Sequence, residues 1–311
     1  MRMRGKVRSS RRGERVRSSR GGPFSEDRSL RGPSSQSRRG RAAKRPAKDR
    51  DARVHFIGAG PGDPDLITVR GAALLSRCPV VIYAGSLVPR ALVDRARGAR
   101  LLDSSRMTLH EIVEEMAAAY CAGNEVARLH SGDPCLFGSI AEQMRCLDAR
   151  GIPYDVVPGV SAFAAAAAAL RRELTIPGVS QAVILARAPG RTAVPQGQRL
   201  EELARHGATL ALFLSAGLVR EAVAALAPVY GRDCPAAVVQ RASWPDERNV
   251  QGTHSTIAGR VRAAGIDATA MILIGPALAA ESFPDSRLYA ADFSHRFRRA
   301  ASRGEEERDG K

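Results

Sequence analysis

Three short loops rich in glycine and proline hold most of the residues that could bind a small ligand. They span residues 58–63, 130–138 and 157–162, and each follows a short apolar segment that is typical of a β-strand. The carboxyl ends of parallel strands meet at one edge of a sheet, where α/β proteins bind their ligands. Each loop alone could be a plain turn, but three loops on one edge indicate a shared ligand site.

The first loop is glycine-rich but is poorly suited to the pyrophosphate of a dinucleotide. Its spacing is Gly58-x-Gly60-x-Gly62, and Asp63 stands where the G-x-G-x-x-G fingerprint has its third glycine. Pro61 has no N–H to donate to a phosphate. The next predicted strand also ends without the acidic residue that would hold a ribose. The loop therefore predicts close approach to a ligand other than a dinucleotide.

The other two loops add polar groups that could recognise such a ligand. Asp133 could accept hydrogen bonds from an ammonium group or a ribose hydroxyl, and Ser161 could begin a helix whose free N–H groups favour a carboxylate. Ser131, Gly132 and Asp133 do not form a triad, because no histidine lies at a suitable spacing. The six histidines lack the spacing of metal ligands, so no metal is expected, and Cys135 is not expected to be a nucleophile.

The segments around these loops alternate between strand and helix patterns, which favours an α/β fold with mostly parallel sheets. In the first half, strands are expected at residues 53–58, 79–83, 101–102, 125–130 and 153–157, and helices at 66–76, 89–97, 108–121, 139–150 and 162–170. Thr108 and Glu111 have the spacing of a capping box at the start of one of these helices.

A second set of elements follows residues 171–180, which are typical of a linker. Strands are expected at residues 182–186, 208–214, 236–240, 248–252 and 269–275, and helices at 197–205, 216–226 and 254–264. We therefore predict two α/β domains of near equal size, at residues 53–172 and 178–294.

The positive charge of the chain is concentrated at its N-terminus. Residues 1–52 contain 18 of the 48 Lys and Arg residues but only five of the 32 Asp and Glu residues, with few aliphatic side chains. We expect this segment to be a disordered tail, and residues 295–311 as well. A nucleic-acid-binding tail is the alternative, although an extension without function is favoured.

Cysteine usage and hydropathy bear on the cellular location. The five cysteines are scattered and contain no C-x-x-C pair, which favours a reducing compartment. No apolar run has the length of a membrane span, and no apolar segment follows the N-terminal arginines as in a signal peptide. We therefore expect a cytoplasmic protein that does not associate with a membrane.

Taken together, the three loops resemble those of the tetrapyrrole (corrin/porphyrin) methylase family, over about residues 53 to 293. The motifs are Gly58-Ala59-Gly60-Pro61-Gly62-Asp63-Pro64 with Leu66-Ile67-Thr68, Ser131-Gly132-Asp133-Pro134 with Phe137-Gly138, and Val157-Pro158-Gly159-Val160-Ser161. The resemblance implies two α/β domains with a cleft between them that binds S-adenosyl-L-methionine. It also implies a homodimer and a small tetrapyrrole substrate.

The resemblance also implies which residues contact the cofactor, many of them through the backbone. Carried over position by position, they are Pro61, Ser131, Gly132, Asp133, Leu136, Ser161, Ala162, Leu214, Ala242, Thr269 and Ala270.

Further motifs resemble the branch of the family that methylates C11 of precorrin-4, giving precorrin-5, in cobalamin biosynthesis. They are Tyr83-Ala84-Gly85-Ser86-Leu87-Val88-Pro89, Asp103-Ser104-Ser105-x-Met107, Glu142-Gln143 and Ser243-Trp244-Pro245-Asp246-Glu247. The branch that acts on uroporphyrinogen has an Asp and a Lys, as proton acceptor and donor, at the positions of Ala84 and Ser104. This chain has neither the Asp nor the Lys, which favours the C11 branch.

Methyl transfer to carbon needs an aligned nucleophile more than a strong base, because a pyrrole-derived carbon is electron-rich. Asp103 is the candidate for removing a proton later in the reaction. The carboxylates of such a substrate would be held by arginines, with Arg106, Arg187, Arg191 and Arg248 as candidates.

Three alternatives remain open at this point. The substrate could contain cobalt, as in the anaerobic route to cobalamin. The chain could be an rRNA ribose methyltransferase of the same superfamily, which the basic tail would favour. It could also be a nucleic-acid-binding protein without enzymatic activity, although nucleic acid is not the favoured partner.

Overall fold

The computed structural model describes residues 52–190 and 192–300. Expectations for residues 1–51, for Arg191 and for residues 301–311 lie outside this part of the chain. Among the described residues, no helix combines the length and the apolar character needed to cross a membrane.

The first half of the chain forms a five-stranded sheet in which all neighbouring strands are parallel. Its strands are β1 (Val54–Gly58), β2 (Val80–Tyr83), β3 (Arg100–Asp103), β4 (Val126–His130) and β5 (Tyr154–Val157), in the order β3-β2-β4-β1-β5. All residues of β1 and β4 are buried, as expected for parallel strands that are covered on both faces.

Helices cover both faces of this sheet. They are α1 (Val69–Arg77), α2 (Arg90–Val93), α3 (Leu109–Cys121) and α4 (Ala141–Asp148). Side chains of α1 and α2 pack on one face and side chains of α3 and α4 on the other. The predicted capping box at the start of α3 is confirmed: Thr108 Oγ1 accepts a hydrogen bond from the Glu111 N–H, and the Glu111 carboxylate accepts one from the Thr108 N–H.

The second sheet is mostly antiparallel, so the expectation that both sheets are mostly parallel was wrong for this one. Its strands are β6 (Val183–Arg187), β7 (Thr209–Phe213), β8 (Pro235–Gln240), β9 (Arg248–Thr253) and β10 (Ala270–Ile274), in the order β6-β7-β10-β8-β9. Only β6 and β7 pair in parallel.

Connection length and strand order explain this difference. The seven residues between β8 and β9 are too few for a parallel crossover, which needs about a dozen residues or more. After β9, the chain passes through a helix into β10, which inserts between β7 and β8 and runs antiparallel to both. The α/β class is confirmed, with a mostly parallel arrangement in the first sheet only.

The remaining helices cover the second sheet and connect it to the first. Helices α6 (Leu200–Ala204), α7 (Val219–Tyr230) and α8 (Ile257–Ala263) pack on one face. The alanine-rich α5 (Ala162–Leu170), which directly follows β5 of the first sheet, packs on the other face. The domain boundaries at residues 53–172 and 178–294 stay a prediction.

Candidate functional site

The three predicted loops meet at the carboxyl edge of the first sheet. Gly60 and Gly132 form an antiparallel bridge. The Gly132 N–H donates to the Gly60 carbonyl at 2.7 Å, and the Gly60 N–H donates to the Gly132 carbonyl at 3.3 Å. The Ala59 N–H also donates to the His130 carbonyl at 2.7 Å. The first and second loops are therefore joined by backbone hydrogen bonds.

Glycine at the third loop allows backbone contact with the other two. A Cβ on Gly159 would overlap with the Gly132 carbonyl oxygen, and a Cβ on Gly58 would overlap with the Gly159 backbone. The Asp133 carboxylate accepts hydrogen bonds from the Gly159 N–H at 2.9 Å and the Cys135 N–H at 2.8 Å. Asp133 therefore fixes the third loop and still keeps acceptor capacity for a ligand.

A turn from the second half of the chain docks on the first loop. The Trp244 indole N–H donates to the Pro61 carbonyl at 2.9 Å, and the Asp63 N–H donates to Ser243 Oγ at 2.9 Å. A Cβ on Gly62 would overlap with the Trp244 ring. An ion pair between Arg241 and Asp246 holds the turn, and the Arg241 guanidinium stacks on the Trp244 ring.

A cleft of about 370 Å³ lies between the two sheets at this edge. Its lining includes all eleven residues that the family resemblance assigned to the cofactor. They are Pro61, Ser131, Gly132, Asp133, Leu136, Ser161, Ala162, Leu214, Ala242, Thr269 and Ala270. The structure therefore brings these residues together, while their contact with a cofactor stays a prediction.

Ten residues of the cleft lining were not predicted from the sequence. They are Leu87, Phe137, Phe213, Ala216, Gly217, Val239, Arg241, Asp267, Ala268 and Met271. Five of them, Phe137, Phe213, Arg241, Ala268 and Met271, adjoin a predicted residue in the chain, so proximity in sequence was the available signal for these five. Phe137 and Phe213, from the two halves, have ring centroids 4.8 Å apart across the cleft lining.

Strained backbone is concentrated at the cleft. Among the described residues, seven other than glycine have positive φ, and four of them line the cleft: Phe137 (56°), Leu214 (52°), Arg241 (50°) and Thr269 (50°). Such conformations cost of order 1–3 kcal/mol each and persist only where surrounding contacts enforce them. This distribution supports a binding role for the cleft.

Ser161 presents an unpartnered hydroxyl group at the cleft. It is the residue before α5, as predicted, but its side chain makes no capping hydrogen bond. Its Oγ is buried and has no hydrogen-bond partner among the described residues. A buried hydroxyl without a partner is unfavourable, and Ser161 itself lines the cleft, so a ligand bound there is the candidate partner.

Asp103 does not line the cleft. Its carboxylate accepts hydrogen bonds from the Ser105 N–H at 2.8 Å and the Gly85 N–H at 2.9 Å. These two backbone bonds lower the pKa of Asp103 and make it a weaker base. The structure therefore gives Asp103 a role in fixing the loops after β2 and β3, and proton removal by Asp103 stays a prediction.

Three of the arginines predicted to bind substrate lie among the described residues, and none of these three lines the cleft. Arg187 donates to the Thr192 and Ala193 carbonyls at 3.0 and 2.7 Å. Arg248 donates to Gln240 and to the Ala264 carbonyl. Arg106 is exposed, and Arg191 lies outside the described residues.

The structure also brings together side chains that are far apart in the sequence. At the amino end of the first sheet, His55, Cys78 and Glu125 lie close enough to share a metal ion. The His55 ring nitrogens contact Asp155 at 2.7 Å and Glu125 at 3.0 Å, and Arg77 also pairs with Glu125 at 2.9 Å. The arginine supplies positive charge that a metal would otherwise provide, so we interpret the group as an ion-pair network.

Comparison with known proteins agrees with the geometry of the cleft. The family model for tetrapyrrole (corrin/porphyrin) methylases matches residues 53–258. The chain therefore belongs to the tetrapyrrole (corrin/porphyrin) methylase family.

Individual relatives are similar over nearly their whole length. A precorrin-4 C(11)-methyltransferase of Pseudomonas aeruginosa is 52% identical over 245 residues, which cover 79% of this chain and 98% of the relative. A cobalt-precorrin-4 C(11)-methyltransferase of Methanocaldococcus jannaschii is 42% identical over 254 residues, covering 81% and 98%. The solved structure of a cobalt precorrin-4 methyltransferase matches with a TM-score of 0.72 and 45% identity, covering 73% and 96%.

We predict that Gly159→Ala separates the interlocked loops. The added Cβ would overlap with the Gly132 carbonyl, so we expect a loss of about 1–3 kcal/mol in the free energy of unfolding. Urea unfolding followed by circular dichroism measures this. Gly197→Ala is the control, because a Cβ there has no atom within 4 Å. Equal urea midpoints for the two variants would contradict the prediction.

We predict that Trp244→Phe weakens the docking of the turn on the first loop. The variant loses the hydrogen bond to the Pro61 carbonyl, which is worth about 0.5–1.5 kcal/mol. Ser243→Ala removes the neighbouring bond to Asp63 and should act in the same direction. Unfolding is followed by circular dichroism, because Trp244 is the single tryptophan and its replacement removes tryptophan fluorescence as a probe. Wild-type urea midpoints in both variants would show that the turn does not depend on these bonds.

Proposed function

We propose that this chain is an S-adenosyl-L-methionine-dependent methyltransferase that methylates C11 of precorrin-4 to give precorrin-5 in cobalamin biosynthesis. The observation that carries the proposal is the cleft between the two sheets, which contains every residue expected to contact the cofactor. Relatives named precorrin-4 C(11)-methyltransferase, 49–53% identical to this chain, support the reaction.

The residues of the cleft fit this methyl donor. The unpartnered Ser161 hydroxyl can bond to a polar group of the ligand. Asp133 and Asp267 contribute carboxylates that favour a positively charged ligand, and apolar side chains such as Leu136 and Met271 can contact the adenine ring. A solved uroporphyrin-III C-methyltransferase of Thermus thermophilus, 30% identical with a TM-score of 0.62, is described as complexed with S-adenosyl homocysteine. That match covers 73% of this chain and 99% of the other.

When bound, S-adenosyl-L-methionine supplies a methyl group that is activated by its positively charged sulfur. The contribution of this chain is to hold the acceptor carbon and the methyl group in line and to exclude water. Positioning of this kind supplies up to about 7–11 kcal/mol of a reaction barrier. The interlocked loops at Gly60, Gly132 and Gly159 give the cleft the rigid wall that positioning requires.

The comparisons favour a metal-free substrate over a cobalt-containing one. Relatives named for precorrin-4 are 49–53% identical, whereas relatives and a solved structure named for cobalt-precorrin-4 are 42–45% identical. Cobalt-precorrin-4 is therefore the second candidate substrate. An rRNA ribose methyltransferase is not favoured. The homodimer and the cytoplasmic location remain proposals, and light scattering of the purified chain tests the first of them.

The activity is tested with purified full-length chain, precorrin-4 and S-adenosyl-L-methionine carrying an isotopically labelled methyl group. We expect a product heavier by one methyl group, with the label at C11 by nuclear magnetic resonance. Cobalt-precorrin-4 is assayed in parallel and should react more slowly. Heat-denatured chain is the control. A product without added methyl from both substrates would refute the proposed function.

We predict that Ser161→Ala weakens cofactor binding without lowering the stability of the free protein. The hydroxyl has no partner to lose in the free protein, while its bond to the cofactor is worth about 0.5–1.5 kcal/mol, or roughly 2–13-fold in Kd. Calorimetric titration with S-adenosylhomocysteine measures the Kd.

Ser180→Ala is the matched control for this prediction. Ser180 Oγ is bonded to the Ala182 carbonyl and to Thr209, away from the cleft lining. Its removal should lower the urea midpoint and leave the Kd unchanged. Unchanged affinity in Ser161→Ala would show that this hydroxyl does not contact the cofactor.

A further inference from the structure

Arg128 is a buried cation that has no role in the cleft as described above. It lies in the middle of β4, and 6% of the residue is exposed. Among the described residues, it is the only arginine that is buried. Buried guanidinium groups are usually paired with a carboxylate, because removing a charge from water is costly.

The hydrogen bonds of Arg128 go only to neutral acceptors. Its Nε donates to Gln143 Oε1 at 3.2 Å, and its Nη1 donates to Ser104 Oγ at 3.0 Å and to the Ile82 carbonyl at 3.5 Å. Both side-chain partners are themselves fixed. Gln143 Nε2 donates to the Ser139 carbonyl at 2.8 Å, and Ser104 Oγ donates to the Tyr83 carbonyl at 3.1 Å. The guanidinium is therefore held rigidly.

The charge of Arg128 is not compensated within the described part of the chain. Burial alone lowers its pKa to about 10, with no carboxylate acting in the opposite direction. The group stays protonated at neutral pH. Burial first, and then the charge of Arg128, lower the pKa of His130 to about 3. The arginines on the surface differ, since Arg77, Arg95 and Arg100 each pair with an acidic side chain.

One nitrogen of the guanidinium is not used by the hydrogen bonds that hold Arg128. Nη2 takes part in none of the hydrogen bonds of Arg128. A bond from Nη2 to a ligand would therefore leave the bonds that hold Nε and Nη1 in place.

Arg128 lies two residues before the carboxyl end of β4, the end that leads to the cleft, and is not itself part of the cleft lining. Its strand leads directly into Ser131 and Gly132, which line the cleft. Its partners Ile82 and Ser104 lie at the ends of β2 and β3, and the loop after β2 contributes Leu87 to the lining. Along its own strand, Arg128 is therefore three residues from Ser131, the nearest residue of the cleft lining.

We propose that Arg128 binds a carboxylate side arm of the tetrapyrrole substrate, with Gln143 and Ser104 as positioning residues that hold its guanidinium. The proposal rests on the proposed function for its substrate class. An arriving carboxylate supplies the counter-charge that the protein lacks, and a charge-assisted bond to Nη2 is stronger than a neutral one. Arg128 thus takes the role that the sequence assigned to Arg106, Arg187, Arg191 and Arg248.

Two variants of Arg128 and one of Gln143 test the proposal. The probe is uroporphyrin III, a stable porphyrin with carboxylate side arms, titrated against wild type by fluorescence. We expect Arg128→Gln to weaken its binding by about tenfold or more, with a smaller loss in Arg128→Lys. The methyl ester of the same porphyrin should not distinguish the variants from wild type. Binding of S-adenosylhomocysteine should change less than about twofold.

Gln143→Glu tests the same idea while keeping Arg128 in place. The new carboxylate pairs with the guanidinium and competes with the substrate, so affinity for the porphyrin should fall. A purely structural role for Arg128 would leave that affinity at the wild-type value. Arg145→Gln is the control, because Arg145 is exposed on the same helix as Gln143, and it should bind the porphyrin as wild type does.

The outcomes separate this proposal from the proposed function. Wild-type porphyrin affinity in both Arg128→Gln and Gln143→Glu would overturn the role of Arg128, whatever the methylation assay gives. Loss of affinity in these variants, together with no methylation of precorrin-4 by wild type, would support Arg128 and refute the reaction. Urea unfolding checks each variant, and if Arg128→Gln does not fold, Arg128→Lys and Gln143→Glu decide the question.

Discussion

The docking of Trp244 on the first glycine loop is the contact on which the cleft depends. It joins residues 183 positions apart in the chain, through an indole N–H bonded to the Pro61 carbonyl. Because Gly62 has no side chain, the indole ring can lie directly against the backbone. Pro61 has no N–H of its own, but this contact uses only its carbonyl. The loop thus forms one wall of the cleft and also the joint between the two halves.

The strained residues around the cleft follow from this arrangement. Leu214, Arg241 and Thr269 all come from the second half of the chain and all have positive φ. Arg241 and Thr269 belong to neighbouring segments, since the Arg241 N–H donates to the Thr269 carbonyl at 2.9 Å. The turn that carries Trp244 begins at Arg241, so docking of the indole and the unusual backbone at the cleft support each other. Strain is tolerated here because these contacts leave the chain no relaxed alternative.

Features that depend on neighbouring residues were predicted better than features that depend on contacts between distant parts of the chain. The capping box at Thr108 and the three glycine loops were found because their spacing carries the information. The mostly parallel arrangement expected for the second sheet was wrong, because the insertion of β10 between β7 and β8 depends on packing across the whole half. Burial of an arginine depends on the fold and is not visible in its sequence position. Only the fold shows that Arg128 lacks an acidic partner, whereas Arg187 and Arg248 are bonded to the chain itself.

The position of Asp103 constrains how the reaction can be catalysed. Two backbone N–H groups already stabilise its carboxylate, so its pKa is lowered and its affinity for a proton is reduced. An exposed carboxylate of this kind contributes little as a base near neutral pH. Under the proposed function, the main contribution of the chain is then alignment of the acceptor carbon, which requires well-fixed walls. The close contacts among Gly58, Gly132 and Gly159 provide such walls at the carboxyl edge of the first sheet. The glycines are therefore as important to the proposed chemistry as any charged side chain.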